Sequence, residues 1–157
     1  MLVVADSSAL VAVAVCDGLH WLDIRFQEVR VPVAVFNECT VAGKPKADTL
    51  RDYLQGKTIP IDLCETIITP AGLGDGELEA MSLYKHLHAD FLLIDDRRAR
   101  KVAIFNKLNT IGSVGMLIWA KDYGHVGEIR SGLLAIQQAG IFLSDVVLQE
   151  ALQLVGE

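Results

Sequence analysis

Leu2-Val3-Val4-Ala5-Asp6-Ser7-Ser8 opens with four apolar residues and then sets an acid where the apolar run stops. The run is short, rich in Val and does not alternate, which suits a strand buried on both faces of a parallel sheet. Asp6-Ser7-Ser8 then supplies N-cap chemistry for a helix. The same grammar recurs downstream. Val31-Pro32-Val33-Ala34-Val35-Phe36 leads to Glu38, and Phe91-Leu92-Leu93-Ile94 leads to Asp95-Asp96. Glu77 opens a helical pattern after the turn Gly72-Leu73-Gly74-Asp75-Gly76. Carboxylates at the ends of parallel strands would converge, and ligands of such sheets bind beyond those ends. Converging carboxylates repel and usually need a cation. Asp6, Glu38, Glu77 and the pair Asp95-Asp96 therefore point first to a metal-dependent active site.

Working outward, helices are predicted over 8–17, 19–27, about 34–41, 47–55, 77–88, 97–108, 114–123 and 128–139, and from Ser144 or Asp145 to about Leu154. Extended segments are predicted at 2–5, 29–33, 59–63, 65–69, 91–94 and 110–113. Short strands alternating with helices imply an α/β fold, a three-layer α/β/α sandwich with a central, mainly parallel sheet.

The 157 residues are 52% hydrophobic and 22% charged, which suits one domain over 1–157 with a sizeable core and argues against disorder. The longest apolar run, 9–16, is too short for a bilayer, which needs about 20 residues. No signal-peptide pattern opens the chain, and a cytoplasmic location is expected. The net charge of −6 argues against a wholly basic surface, but not against nucleic acid. A carboxylate-metal nuclease carries a local excess of acid that its cation offsets. Cys16, Cys39 and Cys64 have no metal-type spacing and are expected as buried free thiols. His86 and His88 lack HxxxH spacing and are expected in surface or capping roles.

Each acid also has a plainer reading. Asp6 and the Asp95-Asp96 pair could be helix caps, Glu77 a first-turn acid favoured by the helix dipole, and Glu38 an exposed helix residue. Helical geometry discriminates within one pair. Glu77 shares a side with Ala80, Met81 and Tyr84, whereas Glu79 lies roughly 200° around and nearer the solvent edge. The case for a metal site rests on the set.

Four stretches resemble the motifs of PIN domains, in order. They are Val4-Ala5-Asp6-Ser7-Ser8-Ala9-Leu10, the Pro32-to-Glu38 segment, Gly74-Asp75-Gly76-Glu77-Leu78-Glu79-Ala80, and Leu92-Leu93-Ile94-Asp95-Asp96-Arg97-Arg98-Ala99-Arg100. The stretch Thr110-Ile111-Gly112-Ser113-Val114-Gly115-Met116-Leu117 and the tail Ala139-Gly140-Ile141-Phe142-Leu143-Ser144 are similar to a VapC-like prokaryotic subgroup. The likeness covers nearly the whole chain. It implies a compact α/β/α fold and a Mg2+- or Mn2+-dependent ribonuclease, the toxin of a toxin-antitoxin pair. Asp6, Glu38, Glu77 and Asp96 take the acidic positions, with Asp95 as a neighbouring metal ligand and Ser8 as the supporting hydroxyl. Ile94 stands where the commoner fourth motif has Thr, and Asp75 where relatives often have Glu.

The implied partners are an RNA substrate, a small antitoxin and a second copy of the chain. The segments 10–15 and 50–54 read either as a dimer surface or as core. The run Arg97-Arg98-Ala99-Arg100-Lys101 reads as phosphate contacts or as a solvated helix face. A rival from another class is a PIN-fold binding module without catalysis, motivated by the altered fourth motif. A phosphatase using Asp6 as nucleophile would want a second Asp two residues on, and Ser8 stands there.

Overall fold

The computed structural model describes residues 1–62 and 72–157. Five strands form its sheet: β1 (Leu2–Ala5), β2 (Glu28–Pro32), β3 (Thr58–Ile59), β4 (Phe91–Leu93) and β5 (Thr110–Ile111). Their order is β3-β2-β1-β4-β5, and every pairing is parallel. The chain steps from β1 outward to β2 and β3, then returns to add β4 and β5 on the other side. The switch in direction falls between β1 and β4, where Ala5 pairs with Leu93. Asp6 extends that pairing: its N–H donates to Leu93 O at 2.8 Å.

The connecting helices are α1 (Ser7–Val15), α2 (Leu19–Phe26), α3 (Val33–Cys39), α4 (Ala47–Tyr53), α5 (Asp75–Leu87) and α6 (Arg97–Phe105). The C-terminal part adds α7 (Ser113–Asp122), α8 (Arg130–Gln138) and α9 (Asp145–Leu154). Right-handed crossovers leaving the switch in opposite directions place α1 and α6 on opposite faces of the sheet. The result is the three-layer α/β/α arrangement expected from the alternation. The central strands are sealed on both sides, with Val3, Val4, Ala5, Leu92, Leu93 and Ile94 all at 0% exposure. This explains their unbroken apolar pattern.

Boundaries moved where local chemistry outweighed hydrophobic period. Helix α5 starts at Asp75 rather than Glu77, because Gly74 is extended and takes the N-cap position. Helix α6 stops at Phe105, and Lys107 turns the chain with φ 62°. Among the described residues of the segment 59–63 expected as extended, only Ile59 pairs with the sheet, in a strand that begins one residue earlier at Thr58. The expected strand 65–69 and Cys64 lie outside the described residues.

The segments 10–15 and 50–54 prove to be core: Leu10, Leu50 and Leu54 are fully buried and Val13 nearly so. Cys39 is buried, whereas Cys16 is only half-buried, and both are free thiols. His86 and His88 are exposed, with His88 ending α5 in a left-handed conformation. No single helix among the described residues is long and apolar enough to cross a membrane.

Because β4 is central and dry, truncating it removes packing that nothing nearby can replace. Leu93→Ala is expected to destabilise the fold by about 2–5 kcal/mol, measured as a lower urea midpoint at unchanged m-value.

Candidate active site

The fold brings the strand-end acids to one edge. Asp6 follows β1, Asp95 and Asp96 follow β4, Glu38 sits in α3 just beyond β2, and Glu77 sits in the first turn of α5. Asp6 is 2% exposed. Its Oδ2 accepts from Ser8 Oγ at 2.9 Å, while its Oδ1 is buried with no partner among the described residues. Although Asp6 occupies the N-cap position of α1, its side chain makes no capping bond. Burial drives its carboxyl up from 3.8 to about 6; the Ser8 hydroxyl and the Ser7 backbone N–H pull it down, and the fields of Glu77 and Glu38 push it further up.

Glu77 is half-buried, and its Oε2 accepts from the Gly74 N–H at 2.9 Å, closing the first turn of α5. Its carboxyl is raised above the ordinary range, first by burial and then by the fields of Asp96 and Glu38, with the Gly74 N–H and Arg98 opposing. Glu38 thus acts on both Asp6 and Glu77, and Asp96 acts on Glu77. Glu38 Oε2 accepts from Ser7 Oγ at 2.7 Å. Gly76 lets that carboxylate settle on α5, since a Cβ there would lie 2.6 Å from Glu38 Oε1.

The adjacent acids after β4 divide. Asp96 is exposed and caps α6, its Oδ1 accepting from Ala99 N at 2.8 Å. Asp95 turns toward the start of α7, where its Oδ1 accepts from Ser113 N at 2.8 Å. Asp95 Oδ2 and Ser113 Oγ are buried without partners among the described residues. The plain capping role therefore holds for Asp96, and a capping role toward a different helix holds for Asp95. Neither role uses both carboxylate oxygens.

Glu79 corrects its expected position at the solvent edge. It is half-buried, and its Oε2 accepts from the Ala34 N–H at 3.1 Å, in the first turn of α3. Pro32 stands at the N-cap of α3 and has no capping side chain, so an acceptor must come from elsewhere. That deficit was visible in the sequence; its supplier was not, because the bond spans two helices. Glu79 thereby fixes α3, which carries Glu38, against α5, which carries Glu77.

An all-carboxylate set suits a hard divalent cation with oxygen ligands, and the buried, unpartnered Asp6 Oδ1 is the kind of atom such an ion would satisfy. Among the described residues no three His, Cys, Asp or Glu side chains are drawn close enough to grip one ion. The donors suit the ion in chemistry and gather beyond the strand ends, with Asp6 at the buried end and Asp96 at the exposed end.

Two outcomes follow from this geometry. In chelator, native Asp6 keeps its proton to about pH 6, while the unfolded carboxyl loses it near 3.8. Stability conferred by this group therefore falls as pH rises through that window and is level above it. Asp6→Asn is expected to stabilise the metal-free protein by about 3 kcal/mol at pH 8, an advantage that fades below about pH 4, read by urea unfolding. Glu79→Ala is expected to cost about 1–2 kcal/mol through the lost cap, and Glu79→Gln, which keeps an acceptor, much less. Thermal melts of the two variants check this.

A family model described as a PIN domain matches residues 2–157. Comparison with curated proteins and with solved structures gave no significant match. PIN domains are generally nucleases and typically use divalent metals, in keeping with an acid cluster at a sheet switch point. The chain belongs to the PIN domain family.

Proposed function

We propose that this protein is a Mg2+- or Mn2+-dependent endoribonuclease of the VapC-like kind, acting in the cytoplasm as the toxin of a toxin-antitoxin pair. The observation that carries this reading is the gathering of Asp6, Glu38, Glu77 and Asp96 beyond the strand ends at the β1–β4 switch point, with Asp6 Oδ1 buried and unpartnered among the described residues. The match to the PIN family supports the nuclease class.

The reaction is hydrolysis of an RNA phosphodiester: water adds to phosphorus, one P–O bond breaks, and the departing oxygen leaves as a hydroxyl. A bound divalent cation supplies a more acidic water and offsets charge on the leaving oxygen. Asp6, Glu38, Glu77 and Asp96 would hold it, with Asp95 as a neighbouring donor. Ser8 orients Asp6, Ser7 orients Glu38, and Glu79 sets the spacing between α3 and α5. Burial of Asp6 keeps its carboxylate away from bulk water, so a cation relieves charge that the fold otherwise tolerates poorly. A small antitoxin and a second copy of the chain complete the proposed partners. A short open reading frame beside the coding gene would support the toxin role.

A second reading has its own support. Ile94 supplies no hydroxyl at the fourth motif, and the carboxylates are not drawn into a ready cage. On that reading the chain is a binding module on a PIN fold. Calorimetry separates the two: an intact fold that binds no Mn2+ favours the module.

The ribonuclease reading predicts Mn2+-dependent cleavage of RNA that is lost in Asp6→Asn and Asp96→Asn. It also predicts that Mn2+ raises the Tm of the native sequence but not that of Asp6→Asn. Cleavage by the variants at the native rate overturns it.

A further inference from the structure

Helix α6 leads away from Asp96 and presents an outer face of mixed but consistent chemistry. Arg97, Arg98, Lys101, Ile104 and Phe105 are exposed, whereas Ala99, Val102 and Ala103 are buried. At about 100° per residue the five exposed positions fall within an arc of about 120°. Arg100 is excluded from this face, because its Nη2 donates inward to Ile94 O at 2.6 Å. Arg97 and Lys101 enter no ion pair among the described residues. Arg98 stands at the head of the helix beside Gly72, and its field reaches Glu77. At the far end Phe105 is 69% exposed and Ile104 59%.

Other large apolar side chains are exposed too, Phe142 at 87% among them, but Phe105 shares its helix face with three cations on the helix that starts at Asp96. The net charge of −6 makes a cationic stretch here a local feature. An anionic polymer explains the pairing, provided it also offers flat apolar surface. Single-stranded RNA does both: its phosphates suit Arg and Lys, and its unpaired bases stack on aromatic side chains. A duplex offers the phosphates but hides the base faces.

We propose that the outer face of α6 is a track for single-stranded RNA leading from the acid cluster, with Arg97 and Lys101 on its phosphates and Phe105 as a stacking platform for a base. Phe105 lies about 13 Å along the helix from Asp96, a few nucleotides from the cleavage point. This rests on the ribonuclease reading and narrows it: the substrate is unpaired on that side of the scissile bond.

The test measures binding in EDTA, where no cleavage intervenes. The full chain is titrated against a fluorescein-labelled single-stranded RNA of mixed sequence, alone and annealed to its complement, by anisotropy. Phe105→Ala is expected to weaken single-strand binding roughly tenfold and leave duplex binding unchanged, while Phe105→Trp retains the native affinity. Replacing Arg97 and Lys101 together by Ala should reduce the slope of log K against log salt by about 1.4. The Tm of each variant confirms the fold, which an exposed ring does not support. Native-like single-strand binding by Phe105→Ala, an equal loss on the duplex, or no single-strand binding by the native chain overturns the track. Expected binding changes without any cleavage in Mn2+ would sink the nuclease reading and leave the track standing. Cleavage that persists with Phe105→Ala binding unaltered would do the reverse.

Discussion

The pairing of β1 with β4 is the constraint on which the rest of the molecule depends. These strands are distant in the chain and adjacent in space, and Asp6 N–H prolongs their ladder onto Leu93 O. That single register brings the end of the first strand beside the end of the fourth. It also fixes where α1 and α6 start, since both begin within a few residues of the pairing. Helices α3 and α5 then complete the edge from the flanks. A slip of one residue would carry Asp6 away from the end of β4 and part the acids, so fold and site share the same register.

The cluster also shows a conflict between stability and chemistry. A 2%-exposed carboxylate with an unpartnered oxygen weakens a cation-free fold, and its neighbours Glu38 and Glu77 add to the strain. Surrounding hydroxyls soften this without removing it: Ser8 satisfies one oxygen of Asp6 and Ser7 one of Glu38. An apolar replacement would pack better at that point. The arrangement is one in which a ligand, rather than the protein, supplies the missing counter-charge.

Much of this was legible in the sequence because the signals were local. Leu2–Ala5 and Phe91–Leu93 read as buried strands from unbroken apolar runs, and the acids stood out as breaks in those runs. Ser144 marked a helix start through its cap chemistry, and the glycine turn before α5 placed that start within two residues. What stayed hidden depended on contacts between elements. Helical angle alone sent Glu79 toward solvent, yet the packing of α3 on α5 left it half-buried and gave it an acceptor role. Adjacent Asp95 and Asp96 look equivalent on paper, and only the placement of α7 beyond β5 separates them. The dual reading of 10–15 and 50–54 resolved toward core because an apolar face carries no label for what covers it.

Gly76 shows how narrow the margins at this edge are. Glu38 rests where a side chain on α5 would otherwise stand, near the positive end of that helix. The space is defined by an atom that is missing. Sites assembled from large side chains usually fail by losing atoms; this one is equally vulnerable to gaining one. A single added methyl would push the Glu38 carboxylate off α5, displacing one acid without altering its identity. Chemical identity of the ligands is therefore only half of what the chain must preserve, the other half being emptiness at one backbone position.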